Sequence, residues 1–124
     1  MIRGTTANFK FNLPYTKNEL AWATIKFWQP SNPSASLPII KTLDNCGEPD
    51  QTPGLCVSLS PTETALFSDK YKVKVQLRAE HNGVVVGTRD ILLTVYPMPD
   101  DIIENDQILP TDNVWIVLDG RTIG

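Results

Sequence analysis

Histidine, cysteine and basic charge are all scarce in this 124-residue chain, and each scarcity removes a class of function. One histidine and two cysteines leave few nitrogen and sulfur ligands for a transition-metal site. The lone His81 leaves a serine or cysteine nucleophile without a base, and no Gly-x-Ser-x-Gly turn is present. Phosphate-cradling glycine loops are missing too. Lys and Arg number 11 against 14 Asp and Glu, a net charge of −3, whereas domains that bind nucleic acid by phosphate attraction carry a basic surplus. No apolar run reaches the roughly 18 residues of a membrane helix. None of about 7–15 residues follows Arg3, as a secretory signal would require. Asn32-Pro33-Ser34 fails as a glycosylation acceptor because of its proline. The chain is therefore expected to lack catalytic residues, metal and cofactor, to bind neither nucleic acid nor membrane, and to be made in the cytoplasm. Asp44, Asn45, Glu48 and Asp50 offer oxygen ligands of the calcium type, but without EF-hand spacing, so a solvated loop is expected there.

Proline is plentiful (10), and charge is unevenly spread. After Pro97 the acids Asp100, Asp101, Glu104, Asp106, Asp112 and Asp119 face Arg121 alone, a net −5, so residues 1–96 carry +2. The break falls at Tyr96-Pro97-Met98-Pro99, where two prolines deny a sheet its donors. This predicts a sandwich body over 1–96 and a separate acidic, proline-rich arm over 97–124.

Periodicity in the body is two. Phe9, Phe11 and Leu13 alternate with polar residues until Pro14, and Ala21, Ala23, Ile25 and Phe27 alternate with Trp22, Thr24, Lys26 and Trp28 until Pro30. Residues 37–43 form a short strand that Pro38 marks as an edge. Leu55, Val57 and Leu59 alternate with Cys56 and Ser58, and Tyr71, Val73, Val75, Leu77 and Ala79 with Lys70, Lys72, Lys74, Gln76, Arg78 and Glu80. Asn82-Gly83 then signals a tight hairpin. Val84 and Val86 lie on even positions of the return strand, but Ile91, Leu93 and Val95 on odd ones. A one-residue bulge at or after Gly87 would keep both sets facing the core. Ser60-Pro61-Thr62-Glu63 reads as a capping box with proline at the first helical position, with Leu66 and Phe67 plugging the space between two sheets. About six strands at roughly ten-residue spacing with one such turn predict an all-β fold. Its expected form is an immunoglobulin-like antiparallel β-sandwich with one short helical turn and an extended C-terminal arm.

The candidate contact residues fall into two groups. Trp22 and Trp28 share the face opposite the core, roughly 20 Å apart on one extended strand. They read either as an aromatic contact surface or as residues covered by a loop or the arm. In the arm, Ile102, Ile103, Ile108 and Leu109 come in pairs between acids. The run Val114, Trp115, Ile116, Val117 and Leu118 then has the continuous apolar character of a strand buried on both faces. Such a strand beyond a tether is expected to add to another subunit; the alternative is that it folds back on its own sandwich. Cys46 and Cys56 flank the 44–54 loop. A disulfide between them would close about eleven residues and contribute roughly 2–3 kcal/mol, whereas a reducing cytoplasm keeps thiols free.

Three stretches carry a resemblance: Thr6-x-x-Phe9-x-Phe11-x-Leu13-Pro14, Leu59-Ser60-x-x-Glu63-Thr64-x-x-Phe67 and Val73-x-Val75-Gln76-x-Arg78. Over residues 5–96 the chain resembles small virion structural proteins of phages and prophages from gut Firmicutes. It is also similar to the immunoglobulin-like N-terminal domain of upper baseplate proteins in lactococcal phages. These motifs set a fold rather than a chemistry, and the Pro-rich loop 44–54 is longer here. The resemblance implies a non-enzymatic virion component of head, neck or tail, made in the bacterial host cytoplasm, whose partners are other virion proteins and copies of itself. A carbohydrate-binding or adhesion module using the tryptophans is the alternative, and a hydrolase accessory domain a third, weaker one.

Overall fold

Alternation with a period of two builds two sheets, because each strand must bury one side and solvate the other. A computed structural model describes residues 1–34, 38–49, 53–88 and 90–97 and the backbone of 112–114. The strands are β1 (Ala7–Asn12), β2 (Trp22–Trp28), β3 (Ile39–Thr42), β4 (Gly54–Leu59), β5 (Val73–His81), β6 (Val84–Gly87), β7 (Ile91–Leu93) and β8 (Asp112–Val114). One sheet has the order β4-β1-β8; the other has the order β3-β2-β5-β6, with β7 also pairing β5. Phe9, Phe11, Leu55, Val57 and Leu59 from the first meet Ile25, Phe27, Val73, Val75, Leu77 and Val86 from the second, all buried. The rings of Phe9 and Phe27 lie 5.0 Å apart at 49°, joining the layers. The order β3-β2-β5-β6 follows the C′-C-F-G sheet of an immunoglobulin-like sandwich, with β1 and β4 as its B and E strands. The fold is an all-β sandwich, with eight described strands rather than the six expected. The edge placement of β3, beside Pro38, follows from that proline's missing donor. Leu37 lies outside the described residues.

The hairpin forms where Asn82-Gly83 places it. Both residues have positive φ, 50° and 80°, the backbone of a type I′ turn. Gly83→Val is expected to cost roughly 1–3 kcal/mol, because a β-branched side chain is strained at that φ even where nothing crowds its Cβ. An unchanged thermal melt would contradict the turn type.

The bulge is present as well. Arg78 pairs with Gly87, but Val75 pairs with Ile91, so between these pairs the return strand carries one more residue than β5. Thr88 closes the gap. Its N–H donates to the Leu77 carbonyl, and its Oγ1 accepts from the Leu77 N–H, both at 3.0 Å. Ile91 and Leu93 thereby pack against the core and Val95 is buried. Val84, expected inside with Val86, is 51% exposed, because it sits at the hairpin tip beyond the cover of the facing sheet.

Helix α1 (Pro61–Thr64) is one turn long and capped reciprocally. The Glu63 N–H donates to Ser60 Oγ at 3.2 Å, and the Ser60 N–H to Glu63 Oε1 at 2.9 Å. Burial opposes the Glu63 charge, but hydrogen bonds from Lys41 and Ser60 outweigh it and lower its pKa. Only Phe67 plugs the sandwich. Leu66 is 51% exposed, since one turn of helix cannot point two successive side chains at the same core.

The end of the body is tied to the N-terminus, and residues 112–114 return to the sandwich. The Tyr96 N–H donates to the Met1 carbonyl at 2.8 Å, and the Arg3 N–H to the Tyr96 carbonyl at 3.0 Å. Further on, β8 pairs in parallel with β1, Ala7 with Asp112 and Phe9 with Val114. For residues 112–114 the strand addition is therefore to the chain's own sheet and not to another subunit. It satisfies backbone groups that β1 would otherwise present as an open edge. Nor does it cover Trp22 and Trp28, which lie in the other sheet. Ile102, Ile103, Ile108, Leu109, Trp115, Ile116, Val117 and Leu118 lie outside the described residues.

Candidate functional site

The two outer faces of the sandwich differ sharply in chemistry. On the β4-β1 side the outward positions are Asn8, Lys10, Asn12, Cys56 and Ser58, small or polar residues, with Ser58 Oγ donating to Asn8 Oδ1. On the five-stranded side, strand registers lay side chains out in four rows. Trp22, Glu80 and Val85 form the first row, and Thr42, Thr24 and Arg78 the second. Ile40, Lys26 and Gln76 form the third, and Trp28, Lys74 and Leu92 the fourth. Trp22 (38%), Ile40 (57%), Val85 (47%) and Leu92 (57%) are all exposed. Large apolar side chains left in water on one face mark a contact surface more often than scattered single residues do.

Cations are interleaved with these apolar groups. Lys26 Nζ lies 4.3 Å from the Trp28 ring centre and Lys74 Nζ 5.5 Å, so two ammonium groups cap the half-buried indole. Lys74 also pairs with Asp90 at 2.9 Å, and Gln76 donates to the other oxygen of the same carboxylate at 3.1 Å. Arg78 stands exposed one row beyond Gln76. Both tryptophans thus sit on one outward face, as their parity predicts, but at opposite ends of β2. Sequence reading missed Ile40, Val85 and Leu92, because only the pairing of β3, β6 and β7 brings them beside β2 and β5. Their signal was present: each is an apolar residue on the wrong parity of its strand.

Titratable groups gather elsewhere without forming a catalytic arrangement. The ring of His81 stacks on Tyr15 at 3.9 Å and 18°, and its Nε2 lies 3.9 Å from Glu19 Oε2. Glu19 is held by the Thr16 N–H and hydroxyl, both at 3.0 Å, and these bonds lower its pKa. The cluster ties the loop after β1 to the end of β5. His81 is half-buried at the end of β5. Among the described residues no three His, Cys, Asp or Glu converge as metal ligands, and no helix is long and apolar enough to cross a membrane. Asp50 lies outside the described residues.

Neither Cys46 nor Cys56 is in a disulfide, so the bridge between them is absent from this structure. The reason is geometric. Gly47 and Cys56 exchange backbone hydrogen bonds of 2.7 and 2.8 Å, and directly paired residues share a face. Cys46, one residue before Gly47, therefore points to the other side, where its thiol donates to the Thr42 carbonyl at 3.3 Å. Burial pushes the Cys46 thiol up to about 11, against the opposing pull of Lys17. At pH 8, iodoacetamide is expected to label Cys56 and to spare Cys46 until the chain unfolds. Peptide mass mapping checks this, and equal labelling would contradict the placement. Because the unfolded thiol ionises near its ordinary pKa of about 8.5 and the folded one does not, Cys46 also makes stability fall as pH rises from about 8.5 towards 11.

No family model, curated protein or solved structure matches this chain. The fold and the site define an all-β sandwich module with one polar face and one apolar, cation-bearing face.

Proposed function

We propose that the chain is a non-enzymatic structural module of a phage virion, assembling through its open sheet face, its strand edges and its C-terminal region. The observation that carries the reading is the five-stranded face, where Trp22, Ile40, Val85 and Leu92 stand exposed among Lys26, Lys74 and Arg78. A monomer working alone gains nothing from such a face, whereas an assembling subunit buries it. Four rows at about 6.6 Å and four strands at about 4.8 Å give a footprint of roughly 500 Å². This is below the roughly 800 Å² per partner of a stable standard interface. Such a contact is weak singly and strong when repeated around a ring or lattice. The virion setting rests on the resemblance of residues 5–96. Mass spectrometry of purified particles tests it: the protein at a fixed multiple of a known particle component supports the reading, and its absence from particles overturns it.

A further inference from the structure

A surface that pairs with its own copy about a two-fold axis must be complementary to itself. Within the four outward rows of the five-stranded sheet stand three cations, Lys26, Lys74 and Arg78, and two acids, Glu80 and Asp90. Along β5 the order is Glu80, Arg78, Gln76, Lys74, with the acid in the first row and a cation in the last. Asp90 lies beside Gln76, which donates to it at 3.1 Å. Beside Arg78, in the second row, is Gly87, which has no side chain. Trp22 and Trp28 occupy the first and fourth rows of β2, and Val85 and Leu92 the first and fourth rows on the far side of β5.

We propose that this face binds the same face of a second copy of the chain, a deepening of the assembly reading above and dependent on it. The two-fold axis runs across the strands, over the Ile25–Leu77 pair at the centre of the rows. It lays the first row on the fourth of the second copy, and the second row on the third. Glu80 then meets Lys74 of the second copy, Trp22 meets Trp28, and Val85 meets Leu92. Arg78 falls on Gln76 with Asp90 of the second copy alongside, and Gly87 leaves room for the approach. Lys26 falls on the neutral Thr24. Symmetry makes every contact twice, and no like charges are directly opposed.

An axis along the strands fails on the same layout. It would keep each row on its own row and exchange the strands, setting β2 on β5 and β3 on β7. Ile40 would then press on Asp90, an acid desolvated by an apolar side chain. Lys26 and Lys74 of both copies would crowd the third and fourth rows, four cations against two acids. Aligned sheets cross at about 30°, which shifts the outer rows by about one strand spacing of 4.8 Å. Lysine, arginine and tryptophan side chains are long enough to span that offset. The footprint of roughly 500 Å² falls short of a stable interface, so the pair is a reversible dimer rather than a permanent one.

The test is sedimentation of the full chain over a concentration series. Glu80→Lys sets lysine against lysine and Lys74→Glu sets acid against acid, twice in each dimer. Each variant alone should therefore associate at least about tenfold more weakly than the natural chain. An equimolar mixture should recover to within about threefold of the natural Kd, because both contacts of the mixed dimer again pair a lysine with a glutamate. Lys10→Glu, on the opposite sheet, should associate like the natural chain, and circular dichroism melts verify that every variant is folded. Folded variants that show no recovery on mixing overturn the proposal. If association survives both reversals but is lost in Ile40→Asp/Leu92→Asp, this arrangement is overturned while the face remains an assembly surface. A natural chain that stays monomeric throughout overturns the proposal and the assembly role of this face together.

Discussion

Gly54→Ala is expected to be among the most damaging single substitutions in the chain. Gly54 opens β4 opposite Asn12 with φ of 137°, a conformation that side-chain-bearing residues rarely adopt. A Cβ there would run into the carbonyl oxygen of Phe11, with Leu13 N also crowded at 3.2 Å. Neither obstacle is a flexible side chain that could swing aside. Backbone strain of about 1–3 kcal/mol and an overpacking penalty of similar size add to roughly 3–5 kcal/mol, a large share of the stability of a domain this size. Urea denaturation measures it. A midpoint near that of the natural chain would mean that β1 and β4 do not approach as closely at this end as described.

Leu77→Ala is expected to cost roughly 2–5 kcal/mol, as for a leucine wholly buried between two sheets. Its backbone is also engaged on both sides by Thr88, so the neighbouring chain cannot collapse freely into the space left behind. Lys74→Ala, on the other face of the same strand, is expected to stay within about 0.5 kcal/mol, because its ion pair with Asp90 is partly exposed. Chemical denaturation of the two variants compares them directly. Equal effects would contradict the register of β5, since a one-residue slip exchanges the two faces of a strand.

Much of this architecture was legible from local rules. Val73 to Ala79 alternate, Asn82-Gly83 fixes a turn, and the parity break after Val86 forces one extra residue into the return strand. Ser60 and Glu63 announce α1 by spacing alone. Each of these signals is contained within about ten residues. What stayed hidden depends on contacts distant in sequence. Nothing near Asp112 indicates that it will lie beside Ala7, because a strand edge accepts its partner through backbone groups that every sequence shares. Leu66 resembles Phe67 in hydrophobicity, and only the direction of the chain after α1 decides that Phe67 is the buried one. The two cysteines look well placed for a bridge until the pairing of Gly47 with Cys56 sets their side chains on opposite sides. The contact face was half legible: Trp22 and Trp28 were visible on one strand, whereas Ile40, Val85 and Leu92 joined them only through the sheet.

The assembly role of the five-stranded face is tested most directly by measuring molecular mass against concentration, by sedimentation, for the natural chain and for Ile40→Asp/Leu92→Asp. Both substitutions replace exposed apolar groups on the outward face, so the melting temperature should hold within a few degrees. The account predicts that the natural chain associates reversibly as its concentration rises, and that the double variant remains a monomer throughout. A natural chain that stays monomeric to millimolar concentration, or a double variant that associates equally well, would contradict it.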